Sequence, residues 1–208
     1  MKGRASARMA HNGGKPNSEG YAVAMTTEKT KLLTADDLLE MYSKGVKGEL
    51  IRGVLVEKVS TFGKHGEVVM RFGLGIGNYI LPRQLGRIFG SDAGVRLERD
   101  PDTVREPDVG FISAARMPLE VEANSYYEVV PELVVEIVSS NDTRREVQEK
   151  AQMWLSFGVL LVWVAHPDNR TVDVYRPDTP TVTLTEDDTL DGNPVLPGFT
   201  MPVRQVFP

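Results

Sequence analysis

Apolar residues recur along this chain with two different periods, and the first stretch that shows them predicts a helix followed by a hairpin. Thr34 is a candidate N-cap, and the residues after it have the apolar spacing of a short helix. The alternation from Glu49 to Val59 then predicts a β-hairpin that turns at Arg52-Gly53. The apolar residues of the short helix are Leu38, Leu39 and Tyr42.

A longer helical pattern runs from about His65 to Leu81 and contains an unusual set of glycines. Gly73, Gly75 and Gly77 each weaken such a helix by roughly 1 kcal/mol relative to alanine. Their spacing suggests a dinucleotide-binding loop, but it lies inside a helical pattern rather than after a strand, and the full fingerprint is missing. We therefore expect no dinucleotide cofactor.

The remainder of the chain is predicted to form strands with one further helix, which together indicate an α/β (α+β) fold. Thr143 and Glu146 form a capping box for that helix, which is expected to end near Phe157, before Gly158. A dense β-branched run is typical of a strand buried on both faces and lies at Leu133–Val138. The other predicted strands are Arg87–Ser91, Gly94–Glu98, Pro107–Ile112, Leu160–Ala165 and Thr171–Tyr175, with a polar β tail from Thr181 to Phe207.

Composition limits the class of protein. A chain of 208 residues suits one domain, which we assign to residues 30–208, whereas residues 1–29 lack periodicity and are expected to be a disordered arm or an over-long start. No apolar run of about 18 residues is present, so we expect no membrane segment. The absence of cysteine is compatible with a cytoplasmic location. A net charge of −5 argues against nucleic-acid binding by the whole surface, but it allows a local basic cleft or a site whose metal supplies positive charge.

Three charged residues stand among apolar neighbours. Glu136 lies within the buried run, Asp108 begins an apolar strand after Pro107, and Lys150 borders the apolar stripe of the helix after Thr143. Each has an ordinary explanation: a structural ion pair for the glutamate, a turn for the aspartate, and a lysine whose stem lies along the core. Together they form the set that a hydrolytic magnesium site needs, since Mg²⁺ takes one or two carboxylates and a lysine can stabilise developing negative charge.

The order of these motifs resembles the PD-(D/E)xK nucleases, and more closely the Uma-two family of endonuclease-like domains within that superfamily. The resemblance implies a restriction-endonuclease-like mixed β-sheet flanked by helices, with an N-terminal helix and hairpin. It implies hydrolysis of DNA phosphodiester bonds at an active site that contains Asp108, Glu136 and Lys150. The implied cofactor is Mg²⁺ or Mn²⁺. The matching stretches are Gly48–Gly53, His65, Glu106–Val109, Pro131–Ser139, Glu149-Lys150 and Gly158–Trp163.

One departure from the superfamily pattern concerns its lysine. The position two residues after Glu136 holds Val138, so Lys150 on the following helix would replace the missing lysine. The resemblance also brings two further residues toward the cleft, Glu49 as an added metal or water ligand and His65 as a phosphate or general acid–base partner. From the residues alone, His65 on an apolar helix face is more often a core histidine.

Three functions remain open. The first is a Mg²⁺- or Mn²⁺-dependent DNA endonuclease, for which cutting both strands would favour a homodimer. The second is a catalytically idle module on the same fold that binds nucleic acid or protein, and the third is a carboxylate-pair glycosidase. The nuclease hypothesis predicts that Asp108 and Glu136 converge on one face of a sheet, near Lys150. It also predicts a basic rim formed by Arg96, Arg105, Arg144 and Arg145.

Overall fold

The computed structural model describes residues 31–58, 63–140 and 142–208, so the arm predicted at residues 1–29 lies outside the described residues. From Leu32 onward the chain forms one compact unit. Its helices are α1 (Ala35–Ser43), α2 (Gly63–Ile80) and α3 (Arg144–Ser156), followed late in the chain by a 3₁₀ helix at Val203–Gln205. All three predicted helices are confirmed. The helices α1 and α3 begin after the predicted caps, where Thr34 and Thr143 form capping boxes.

The strands form a large mixed sheet, a smaller antiparallel sheet and a separate two-stranded ribbon. In chain order they are β1 (Gly48–Ile51), β2 (Val54–Glu57), β3 (Gly86–Gly90), β4 (Val95–Glu98), β5 (Thr103–Arg105), β6 (Val109–Ser113), β7 (Leu133–Ile137), β8 (Leu161–His166), β9 (Thr171–Tyr175), β10 (Val182–Leu184), β11 (Thr189–Asp191) and β12 (Thr200–Pro202). The α/β fold with a mixed sheet flanked by helices is therefore confirmed.

The six-stranded sheet has the order β10-β9-β8-β7-β6-β3. Only β7 and β8 run parallel in it, because α3 connects them as a crossover, and the other neighbours are antiparallel. All five residues of β7 are buried, as the dense β-branched run predicted. This arrangement puts the carboxyl ends of β7 and β8 at the same end of the sheet.

The smaller sheet has the order β2-β1-β5-β4 and contains the predicted hairpin. Arg52 and Gly53 both have positive φ at the turn, which suits the twist of a two-residue hairpin. The sequence analysis missed β5, which is only three residues long and ends at Arg105. So short a strand shows no alternation to recognise, yet it carries the chain into Glu106 and Asp108.

One face of the six-stranded sheet is covered by α2 and by the C-terminal tail. The expectation of a polar tail was wrong, because most of its apolar residues enter this core, although Val182 stays exposed. Gly75 of α2 allows that packing, since a Cβ there would lie 2.7 Å from Sδ of Met201. The buried tail residues are Leu190, Leu196, Phe199, Met201, Val203, Val206 and Phe207.

The opposite face of the sheet is covered in part by α3. Ala151 and Trp154 of this helix pack with Val134 of β7 and with Val162 and Val164 of β8. Because side chains alternate along a strand, Glu136 projects from β7 on the same side as Val134, toward α3. In the described part of the chain, no helix is both long and apolar enough to cross a membrane.

Candidate active site

Asp108 and Glu136 lie on neighbouring strands and on the same face of the sheet. β6 and β7 are antiparallel, with Val109 opposite Val135, so the next pair in this register is Asp108 and Glu136. The backbone N–H of Ile137 donates to Oδ2 of Asp108 at 2.8 Å, which ties the aspartate to the end of β7. The predicted convergence of the two carboxylates is confirmed.

Glu136 is buried, at 7% exposure, and both of its oxygens have partners on α3. Nζ of Lys150 lies 2.7 Å from Oε2, and the indole Nε1–H of Trp154 donates to Oε1 at 2.7 Å. Lys150 and Trp154 are four residues apart on α3, so their side chains lie on the same face of the helix and both contact the carboxylate of Glu136. The predicted contact of Lys150 is confirmed. The sequence analysis did not single out Trp154 or the hydrogen bond of its indole.

His65 stands in the first turn of α2 and contacts the other carboxylate. Its Nε2 lies 3.2 Å from Oδ2 of Asp108, and the side chain retains 12% exposure. Burial would lower the pKa of His65, but the contact with Asp108 outweighs it and raises the pKa above its ordinary value. The structure therefore brings His65 to the carboxylates rather than into the apolar core.

Glu49 approaches from the smaller sheet and is held by its own partners. Its Oε1 accepts a hydrogen bond from the backbone N–H of Glu106 at 2.7 Å, and Oε2 forms an ion pair with Nε of Arg105 at 3.2 Å. Burial opposes ionisation, but Lys150, Arg105 and Lys58 lower the pKa of Glu49 below its ordinary value. Glu49 thus adds a fixed negative charge beside Lys150.

The pKa values of the two central carboxyl groups, Glu136 and Asp108, are shifted in opposite directions. Burial, with Asp108 and Glu49 nearby, raises the pKa of Glu136 even though Lys150 opposes the shift. Burial acts in the same direction on Asp108, but His65 and Lys150 overcome it and lower the pKa of that carboxyl. Burial would lower the pKa of Lys150, yet Glu136 and Glu49 raise it, so the lysine stays charged. A further cation near Glu136 would relieve repulsion that Lys150 alone does not remove.

The donor set suits Mg²⁺ or Mn²⁺ better than zinc. Both polar contacts that Asp108 makes with described residues fall on Oδ2, so these residues leave Oδ1 for a ligand. Among residues 31–58, 63–140 and 142–208, no three His, Asp or Glu side chains are grouped so that they could hold a metal. Mg²⁺ needs only one or two carboxylates and fills its remaining positions with water or phosphate oxygens, whereas a zinc site usually has three or four protein ligands. Glu49 as a third carboxylate ligand stays a prediction. Its oxygens contact Arg105 and Glu106, just as those of Glu136 contact Lys150 and Trp154, so either glutamate would exchange a contact on binding a metal.

The predicted basic rim is largely wrong, because carboxylates neutralise three of its four arginines. Arg96 pairs with Glu128 and lies 3.6 Å from Asp102, and Arg145 pairs with Glu149 at 2.7 Å. Arg105 is buried against Glu49 instead of lining a rim. Arg144 is the exception within the described residues, where it forms no ion pair. Sequence proximity to the site did not reveal these local pairings.

A second ion pair, in which only the carboxylate is buried, lies near Glu49, and the sequence analysis did not single it out. Nζ of Lys58 lies 2.8 Å from Oε2 of Glu106, whose other oxygen accepts a hydrogen bond from the hydroxyl of Tyr42. Glu106 is only 3% exposed. The available signal was its position directly before Pro107-Asp108, in a segment that the fold buries.

Comparisons with known proteins agree with this fold. The model of the Uma2 family, described as "Putative restriction endonuclease", matches residues 35–204. No curated protein matches the chain significantly. Among solved structures, the crystal structure of a "putative nuclease belonging to DUF820" from Anabaena variabilis is similar, with a TM-score of 0.71 and 22% identity over 84% of this chain and 97% of that chain. At that identity the likeness shows the fold alone.

Proposed function

The chain belongs to the Uma2 family, whose model covers residues 35–204, and on that basis we propose that it is a metal-dependent endonuclease that hydrolyses phosphodiester bonds in DNA. The observation that carries the proposal is the convergence of Asp108, Glu136 and Lys150 on one face of the sheet. A fold does not need two repelling carboxylates side by side beneath a helix, since buried charges are costly even when they are paired.

Each residue has a role in this proposal. Asp108 and Glu136 would hold Mg²⁺ or Mn²⁺, which when bound lowers the pKa of a water ligand and neutralises phosphate charge. Lys150 orients Glu136 and places positive charge where negative charge develops on the phosphate. His65 fixes Asp108 through Oδ2, and Glu49 fixes Lys150 through its charge. Trp154 holds Oε1 of Glu136, so the carboxylate has one orientation.

The glycosidase alternative fits this geometry poorly. That reaction uses two carboxyl groups of which one donates a proton and the other attacks or activates water. Lys150 and Trp154 engage both oxygens of Glu136, while Ile137 and His65 engage one oxygen of Asp108. Among the described residues, the contacts leave only Oδ1 of Asp108 without a protein partner, so the pair does not offer both a proton donor and a free nucleophile or base.

The idle binding module remains the second candidate, and one observation favours it. The arginines expected to attract a phosphate backbone at Arg96, Arg105 and Arg145 are paired with carboxylates. A module that binds protein needs no basic rim. The cytoplasmic location and the homodimer stay predictions.

A cleavage assay with covalently closed circular DNA separates the candidates, because only an endonuclease opens a closed circle. The nuclease proposal predicts relaxation or linearisation in Mg²⁺ or Mn²⁺, none with chelator, and none for Asp108→Asn. Glu132→Gln is the matched control, since this carboxylate is also buried but is bonded to Ser113 and Arg116, away from the cluster. The absence of metal-dependent cleavage of any nucleic acid by the wild-type protein would leave the binding module.

A further inference from the structure

A polar groove with a volume of about 500 Å³ lies on the α3 side of the six-stranded sheet, over β9 and β10. Its base is formed by side chains that the strand register puts on one face, since Asp173 lies opposite Val164 and Tyr175 opposite Val162. We call it the β9 groove. Its polar lining comes chiefly from Arg144, His166, Thr171, Asp173, Tyr175 and Thr183.

The β9 groove lies in the same row of the sheet as the carboxylate cluster. Glu136 is opposite Val164 on β8, and Val164 is opposite Asp173 on β9. Two strand spacings therefore separate Glu136 from Asp173, or about 10 Å. Measured along the axis of a duplex, that distance corresponds to about three nucleotides of one strand. Arg144 at the start of α3 lines the groove, and Lys150 of the same helix contacts Glu136, so a strand that lies along α3 would reach both positions.

An internal chain of contacts fixes the polar groups of the groove. Nε2 of His166 lies 2.9 Å from Oδ2 of Asp173, and the hydroxyl of Thr183 donates to Oδ1 at 2.6 Å. Both oxygens of Asp173 are thus used within the protein. The aspartate therefore orients the imidazole and the hydroxyl, and neither of its oxygens remains for a ligand.

Arg144 gives the groove its positive charge. It is exposed at the first position of α3, and it pairs with no carboxylate in the described parts of the chain. Its neighbour Arg145 differs, because its Nε lies 2.7 Å from Oε1 of Glu149. Arg144 is close enough to Asp173 to help lower the pKa of that carboxyl, but it forms no ion pair with it, so its planar donors stay available for a phosphate.

We propose that the β9 groove is a subsite for a nucleic-acid strand, in which Arg144 binds a backbone phosphate and His166 with the threonine hydroxyls contacts the same sugar–phosphate unit. Arginine, hydroxyl and imidazole groups are the usual partners of such units, and they position a strand without reading its sequence. This inference rests on the proposed function, because the strand held here would be the one presented to Asp108 and Glu136.

The two adjacent arginines allow a matched test of the subsite. Binding of a short fluorescein-labelled DNA duplex is measured by anisotropy in chelator, so that cleavage plays no part. We expect Arg144→Gln to weaken binding about tenfold and to reduce the slope of log Kd against log salt by about 1, as for a lost phosphate contact. His166→Gln should also weaken binding. Arg145→Gln removes the same charge from the same turn but should change Kd less than about twofold.

The outcomes separate this inference from the nuclease proposal. Equal effects of Arg144→Gln and Arg145→Gln, or no DNA binding by the wild-type protein at low salt, would overturn the subsite. If the wild-type protein binds DNA through Arg144 but never cleaves it, the subsite stands and the nuclease proposal fails. If cleavage is metal-dependent and Arg144→Gln binds like wild type, the nuclease proposal stands and the subsite fails.

Discussion

Nζ of Lys150 lies 2.7 Å from Oε2 of Glu136, so a lysine on α3 reaches the carboxylate of β7. Two residues after Glu136, where the pattern that the sequence resembles has a lysine, this chain has Val138. The charge needed beside Glu136 is therefore delivered from the crossover helix between β7 and β8.

Lys150→Ala should lower both stability and the rate of cleavage. Removing one partner leaves Glu136 buried without its cation, which typically costs about 3–5 kcal/mol. Cleavage measured well below the melting temperature should fall by at least about tenfold, because the group is proposed to stabilise developing charge. Metal affinity, measured by calorimetry, should change much less, since the lysine is not a ligand. A loss of metal binding as large as the loss of rate would contradict this role.

Trp154→Phe should lower the free energy of unfolding by more than the loss of the indole's packing contacts alone. The ring remains, but Oε1 of Glu136 loses its indole donor, and an unsatisfied buried acceptor costs about 1–3 kcal/mol. Trp163→Phe is the matched control, because Nε1 of Trp163 is buried and has no hydrogen-bond partner among the residues that the structure describes. Denaturant unfolding should show a larger loss for Trp154→Phe. Equal losses would mean that the indole of Trp154 contributes only packing.

Glu136→Gln should become more stable relative to wild type as pH rises, in the absence of divalent metal. Burial and the neighbouring carboxylates raise the pKa of Glu136 in the folded protein. A carboxyl with a raised folded pKa contributes stability that is complete below its unfolded pKa and is lost as pH rises through the folded value. The difference in melting temperature, variant minus wild type, should therefore increase as pH rises above the ordinary pKa of a glutamate. A difference that decreases over this range would show that Lys150 dominates the titration.

Two glycines of α2 should respond differently to alanine. Gly73→Ala meets nothing within 4 Å and should stabilise the helix by about 1 kcal/mol. Gly75→Ala brings a Cβ to 2.7 Å from Sδ of Met201, so the helical gain should be reduced or reversed. Thermal unfolding of the two variants measures this difference. Equal stabilisation would contradict the close packing of the C-terminal tail against α2.

Local patterns in the sequence were enough to predict the elements that carry the site. The capping box at Thr143 fixed the start of α3, and the β-branched run around Glu136 fixed a central strand. Charged residues among apolar neighbours then pointed to Asp108, Glu136 and Lys150, and the structure brings these three together. Such inferences succeed because they depend on neighbours within one or two turns or strands.

Features that depend on distant partners were missed or wrong. The indole N–H of Trp154 and the ion pair of Arg105 with Glu49 involve residues far apart in the chain, which no periodicity connects. The tail was expected to be polar, although Leu190 and Phe199 enter the main core. Pairing of Arg96 with Glu128 likewise requires that two separate segments meet.

The most direct test of the central claim is an anomalous difference map from crystals soaked in Mn²⁺. The account predicts a peak between the carboxylates of Asp108 and Glu136, and its loss in Asp108→Asn. Glu132, whose oxygens contact Ser113 and Arg116, should show no anomalous peak. If Mn²⁺ binds elsewhere in the crystal while Glu136 keeps both Lys150 and Trp154 with no peak beside Asp108, the cluster is a structural ion-pair network and the metal-dependent mechanism is wrong.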